Sequence, residues 1–141
     1  MSKVCVEDLL VKAFPSQPSS RILTDKGLAG LGDAYLNFAY SLARSLREGK
    51  PKSLRVANRV LMEAVRKAGL RRKLPSRLSR KDIGGAAEAL LVYASARGFL
   101  PLGVLVERLA EAGSEEELVE ALSGLLMDCL LYTSPSPRDR G

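Results

Sequence analysis

The chain of 141 residues contains no histidine and no tryptophan, only two cysteines, and few aromatic residues. Without histidine, zinc sites of mixed Cys/His type and His-based catalytic triads are excluded. Cys5 and Cys129 are too few for a disulfide framework. Any chemistry must therefore rest on carboxylates, hydroxyls, amines or a hard metal ion. No window holds eighteen uninterrupted apolar residues, so no membrane partner is expected. The opening stretch, MSKVCVEDLLVKAF, carries acids inside its apolar run and lacks a small-residue cleavage site, which makes a cytoplasmic location the expectation.

What is present has the balance of a soluble globular domain with one core: 46% apolar and 27% charged residues. The net charge is +6, which favours polyanionic partners. Its distribution says more than its size. From Arg44 to Lys81 there are fourteen Lys or Arg residues against two acids, Glu48 and Glu63, whereas Glu107 to Glu120 is acidic.

No period-2 pattern bounded by turns stands out, and apolar residues recur at helical spacing throughout, so the expected fold is an all-α bundle of five to six helices. A first helix is expected over Val4 to Ala13, ended by a loop from Pro15 to Ser20. A second begins near Thr24 as N-cap and aligns Leu28, Leu31, Tyr35, Phe38, Leu42 and Leu46 on one stripe, stopping at Gly49 and Pro51. The third runs from about Ser53 to Ala68, with Val56, Val60, Leu61, Ala64 and Val65 inward and Gly69 as C-cap. Ser79 and Asp82 form a capping pair for a fourth helix, with Ile83, Ala86, Ala87, Leu90, Leu91 and Ala94 inward and an end at Gly98. Pro101 opens a fifth, and Ser114 with Glu117 forms a capping box for the last.

Two segments carry chemistry. In LAGLGDAYLNF, Leu28 to Phe38, Asp33 lies off the apolar stripe on a side shared with Ala29, Asn37, Tyr40 and Arg44. Gly30 and Gly32 beside it each cost roughly 1 kcal/mol relative to Ala in a helix interior, which points to close backbone approach. In KDIGGAAEALLVYA, Lys81 to Ala94, Gly84 and Gly85 sit one turn before Glu88. The plain alternatives are helix packing through small residues and a salt bridge from Glu88 to an arginine.

In this order, LGDA (Leu31 to Ala34) and AAEAL (Ala86 to Leu90) resemble the two acidic segments of the ribonuclease III family. The match covers about Thr24 to Gly98, and its flavour is that of a short archaeal form without an appended double-stranded-RNA-binding domain. The resemblance implies a mostly helical homodimer that clamps duplex RNA and acts as an endoribonuclease in RNA processing. It implies phosphodiester hydrolysis with Mg²⁺ or Mn²⁺ and no small-molecule cofactor. It carries Asp33 and Glu88 over as catalytic metal ligands. The family usually has a glutamate four residues before the first aspartate and an aspartate three residues before the glutamate. Those positions are Ala29 and Gly85, so half the expected charge is absent and metal binding is expected to be weaker. Asp82 lies about 240° around an ideal helix from Glu88 and Asp25 about 12 Å along the axis from Asp33, so neither is an expected substitute.

Duplex RNA is met chiefly through phosphates and 2′-hydroxyls, contacts that Arg and Lys supply. Arg55, Arg59, Arg66, Arg71, Arg72, Lys73, Arg77 and Arg80 are the candidates, against the alternative of a solvated face of a thermophile-like protein. Three functions stay open: a metal-dependent endoribonuclease, a non-cutting RNA-binding relative favoured by Ala29 and Gly85, and an oligomeric helical protein with no RNA role. Finally, Cys129 to Asp139, CLLYTSPSPRD, resembles the in-frame translation of a sequencing adapter. The expected organisation is therefore a helical domain over 1–128 and a non-native tail over 129–141.

Overall fold

The helical spacing is realised as six α-helices, with no strand among the described residues. The computed structural model describes residues 4–14 and 19–133. The helices are α1 (Val6–Ala13), α2 (Lys26–Glu48), α3 (Asn58–Ala68), α4 (Arg80–Ala96), α5 (Leu102–Ala110) and α6 (Glu115–Thr133), with 3-10 turns at Ser19–Thr24 and Leu70–Lys73. Most of the expected loop from Pro15 to Ser20, and the end of the chain from residue 134, lie outside the described residues. No helix among those described is long and apolar enough to cross a membrane.

α4 is the centre of the bundle. It packs against α1, α2, α3 and α6, and its most extensive partner is α2. Its run of small and aliphatic residues explains this: Gly84, Gly85, Ala86, Ala87, Ala89, Leu90, Leu91 and Ala94 are all buried, so the helix is covered on most sides. Around it close Val60, Leu61, Ala64 and Val65 from α3 and Leu118, Leu122, Leu125 and Leu126 from α6. The Ser79 hydroxyl accepts from the Asp82 N–H at 3.1 Å, the expected cap, and Ser114 accepts from Glu117 N–H at 3.1 Å. Gly69 ends α3 with φ +76°, the left-handed conformation that favours glycine. α5 begins after Pro101, which has no side-chain donor or acceptor to cap it. Glu7 of α1 does so instead, accepting from Leu102 N–H at 2.7 Å.

Four expectations are corrected. Asp25, not Thr24, caps α2, its carboxylate accepting from Leu28 N–H at 2.9 Å. α1 starts at Val6, not Val4. α3 starts at Asn58, not Ser53, because side chains of α2 satisfy the preceding backbone in non-helical form. Ser41 Oγ accepts from Leu54 N–H and donates to its carbonyl at 2.8 and 2.9 Å, Ser45 Oγ accepts from Lys52 N–H at 2.8 Å, and Asn37 Oδ1 accepts from Val56 N–H at 2.7 Å. The stripe on α2 also turns. Leu28 and Tyr35 are buried, but Leu31, Phe38 and Leu46 are exposed, and the core face runs through Gly32, Leu36, Ala39 and Ala43. At Gly32 the backbone of α4 comes too close for any side chain.

α6 continues without a break through Asp128 to Thr133, with Cys129 buried and Leu131 and Tyr132 exposed.

Candidate acidic site at the α2–α4 crossing

The crossing of α2 and α4 is set by Gly32. A Cβ there would stand 2.1 Å from the Glu88 carbonyl oxygen and 2.4 Å from its carbon, so only glycine lets the two backbones meet. Gly30, by contrast, faces open space. One residue beyond Gly32, Asp33 comes against the side chain of Glu88, close enough for each carboxyl to shift the titration of the other. The contact that brings the acids together therefore depends on the neighbouring glycine.

The pair is held asymmetrically. Burial tends to raise the Asp33 pKa, but hydrogen bonds from Glu88, Arg55 and Asn37, with the Arg55 charge, outweigh it and leave Asp33 below the usual carboxylate range. Glu88 is pushed up to about 8, first by burial and then by the hydrogen bond to Asp33 and its charge. Two carboxylates in one site cannot both ionise cheaply, so burial and the neighbouring Asp33 favour the protonated form of Glu88. Arg55 Nη2 reaches both Asp33 oxygens at 2.9 and 3.1 Å. The buried Asn37 amide donates to Asp33 Oδ1 at 3.0 Å and to its carbonyl at 2.8 Å, while its oxygen holds Val56.

Asp33 and Glu88 lie on the wall of a groove of ≈ 1220 Å³ that also meets Ala29, Gly85, Asn58, Lys26 and Lys81. A Cβ at Gly85 would come 3.2 Å from the Ala29 Cβ, so the two positions expected to carry further acids face each other across the crossing. Asp25 and Asp82 line the same groove, yet among the described residues no group of three or more His, Cys, Asp or Glu side chains comes together to hold a metal.

The candidate basic residues divide. Arg55 belongs to the acid pair. Arg59 pairs with Glu115 at 2.6 Å, Arg66 with Glu63, and Arg71 donates to the carbonyls of Pro75 and Ser76 at 2.8 and 3.0 Å. Arg72, Lys73, Arg77 and Arg80 are exposed on and beyond the second 3-10 turn. Sequence reasoning left Asn37, Lys26 and Lys81 out of the site. The two lysines stood at the borders of the acidic segments, and Asn37 stood on Asp33's face one turn away.

The described residues thus form an all-helical bundle in which two acids, one of them buried, meet on the wall of a groove that also bears Lys26, Arg55 and Lys81. Residues 26–130 match the family model described as Ribonuclease III, and the chain belongs to that family. No curated protein matches it.

Proposed function

We propose that the chain acts on duplex RNA laid across the α2–α4 groove, as a metal-dependent endoribonuclease whose Asp33 and Glu88 hold one divalent ion, Mg²⁺ or Mn²⁺. The observation that carries this reading is the contact between these two acids, distant in sequence, on the wall of the largest groove described.

The residues fit one hard ion. A pair of carboxyls forced together needs a proton or a cation between them, and Mg²⁺ keeps several waters, so two carboxylates are enough. They do not fit a larger acidic set, because Ala29 and Gly85 supply no oxygen. When bound, such an ion supplies a hydroxide at neutral pH and neutralises charge on the phosphate. The chain's own part is orientation. Asn37 fixes the Asp33 carboxylate, and Glu88 in its deprotonated form would supply the second ligand. Lys26 and Lys81 meet phosphate oxygens along the groove, with Arg72, Lys73, Arg77 and Arg80 extending the basic surface.

A homodimer is part of this reading. Leu31, Phe38 and the half-buried Leu42 line one side of α2, away from Asp33, and Leu31 and Phe38 are exposed with Leu46 close by.

A second reading is favoured by one observation. With Ala29 against Gly85 and Arg55 on Asp33, the centre is partly neutralised, which suits a relative that binds duplex RNA without cutting it. Incubation of end-labelled duplex RNA with Mn²⁺ separates the two. Cutting by the native sequence that an Asp33→Asn, Glu88→Gln variant lacks is the expected result, whereas salt-sensitive binding without cutting supports the second reading.

A further inference from the structure

Arg55 lies on the non-helical segment between α2 and α3, and that segment is anchored on both sides of it. Leu54 is held through its N–H and carbonyl by Ser41 Oγ at 2.8 and 2.9 Å, and Val56 N–H by Asn37 at 2.7 Å. The backbone is therefore fixed, whereas the side chain is 71% exposed. Its guanidinium rests on both oxygens of Asp33. The buried Asn37 amide, on the same helix, also donates to Asp33 Oδ1 at 3.0 Å, so the carboxylate is braced without Arg55 and the exposed arginine is the partner that can give way.

We propose that Arg55 is a built-in competitor for the acidic centre: its guanidinium covers Asp33 until a divalent cation displaces it, which lowers the chain's affinity for that cation. The inference rests on the reading that Asp33 and Glu88 hold a divalent ion. A guanidinium and a divalent ion both need the Asp33 oxygens, and their charges repel when both are present. Because an exposed ion pair is weak, the competition is modest, about two- to fivefold in affinity. It also lets go readily. Arg55 lines the groove as well as covering Asp33, so a phosphate there offers the displaced guanidinium another acceptor.

The test is calorimetric titration of Mn²⁺ into the full chain and its variants at low ionic strength. Arg55→Ala is expected to bind Mn²⁺ about two- to fivefold tighter, with the difference shrinking as salt rises. Arg55→Lys, which keeps the charge, is expected to stay near the native value. A merely structural role for Arg55 would not give that split. Adding Asp33→Asn to Arg55→Ala is expected to remove the gain. Binding to Arg55→Ala that is equal to or weaker than native overturns the proposal; if Asp33→Asn still abolishes binding, the metal-site reading survives it. Absence of Mn²⁺ binding by both native chain and Arg55→Ala overturns both.

Discussion

Gly32 and Gly30 are two residues apart in one helix and have opposite roles. Gly32→Ala places a methyl group on the Glu88 backbone, which cannot move without shifting α4, so unfolding in urea should show a loss of about 1–3 kcal/mol or more. Gly30→Ala meets open space and should instead gain about 0.5–1 kcal/mol from helix propensity. The sequence showed that glycines this costly needed a reason, but it had no means of choosing between them, because only the path of α4 decides which one is crossed. The acids were more legible. The residues flanking Asp33 and Glu88 mark them as a pair, and their side chains come against each other at the helix crossing. The raised pKa of Glu88 was not legible, since it depends on burial and on the neighbouring Asp33. It has a consequence for stability. The Glu88 pKa in the folded protein lies above its unfolded value, so its contribution is fully present below the ordinary carboxylate range and is lost as pH rises through about 8. In chelator, native protein should lose stability relative to Glu88→Gln between about pH 5 and 9, measured by urea unfolding at each pH. A constant difference across that range would contradict the raised pKa.

At the scale of elements, α2 works on three sides at once. One packs on α4 through small residues, one presents Asp33 and Asn37 to the groove, and one exposes Leu31, Phe38 and Leu46. Helical periodicity made the helix legible but merged its first and third sides, because a hydrophobic stripe favours large residues whereas the tightest contact here needs small ones. The start of α3 was misplaced for a related reason. Residues 53–57 carry a helix-compatible apolar pattern, yet Ser41 and Asn37 supply the backbone of Leu54 and Val56 with partners from another element. Asn37 links this segment to the acidic centre. Asn37→Ala leaves the buried Val56 N–H without its acceptor, a cost of about 1–3 kcal/mol. Hydrogen exchange should show faster exchange at Val56, and metal affinity should fall because Asp33 loses its brace. Protection at Val56 unchanged by the substitution would show that the segment is held by something else.

For the whole molecule, charge and apolar surface divide the work. The basic excess between Arg44 and Lys81 was plain in the sequence, but its partition was not: Arg59 and Lys67 join α3 to acids on α6, while Arg66 pairs with Glu63 within α3. Replacing Arg72, Lys73, Arg77 and Arg80 with Gln should weaken duplex RNA binding and flatten its dependence on salt, whereas Arg59→Gln should act more on stability. Binding titrations at several salt concentrations check this. The exposed apolar side of α2 makes a parallel prediction: sedimentation should show a dimer that Phe38→Glu dissociates, and a native monomer would count against it.

On the proposed reading, the Asp33–Glu88 pair is a metal-dependent hydrolytic centre working with fewer acids than its family usually has. Loss-of-function variants test this only in part, because a damaged fold also loses activity, whereas a gain does not arise that way. The most direct measurement is the Mn²⁺-dependent cutting rate of duplex RNA by the native chain and by Ala29→Glu, which adds a carboxylate to the groove wall beside Asp33. The account predicts slow cutting by the native chain, faster cutting by Ala29→Glu, and a lower Mn²⁺ requirement. No cutting by either, with duplex RNA still bound, would contradict it and make the chain an RNA-binding protein built on a ribonuclease fold.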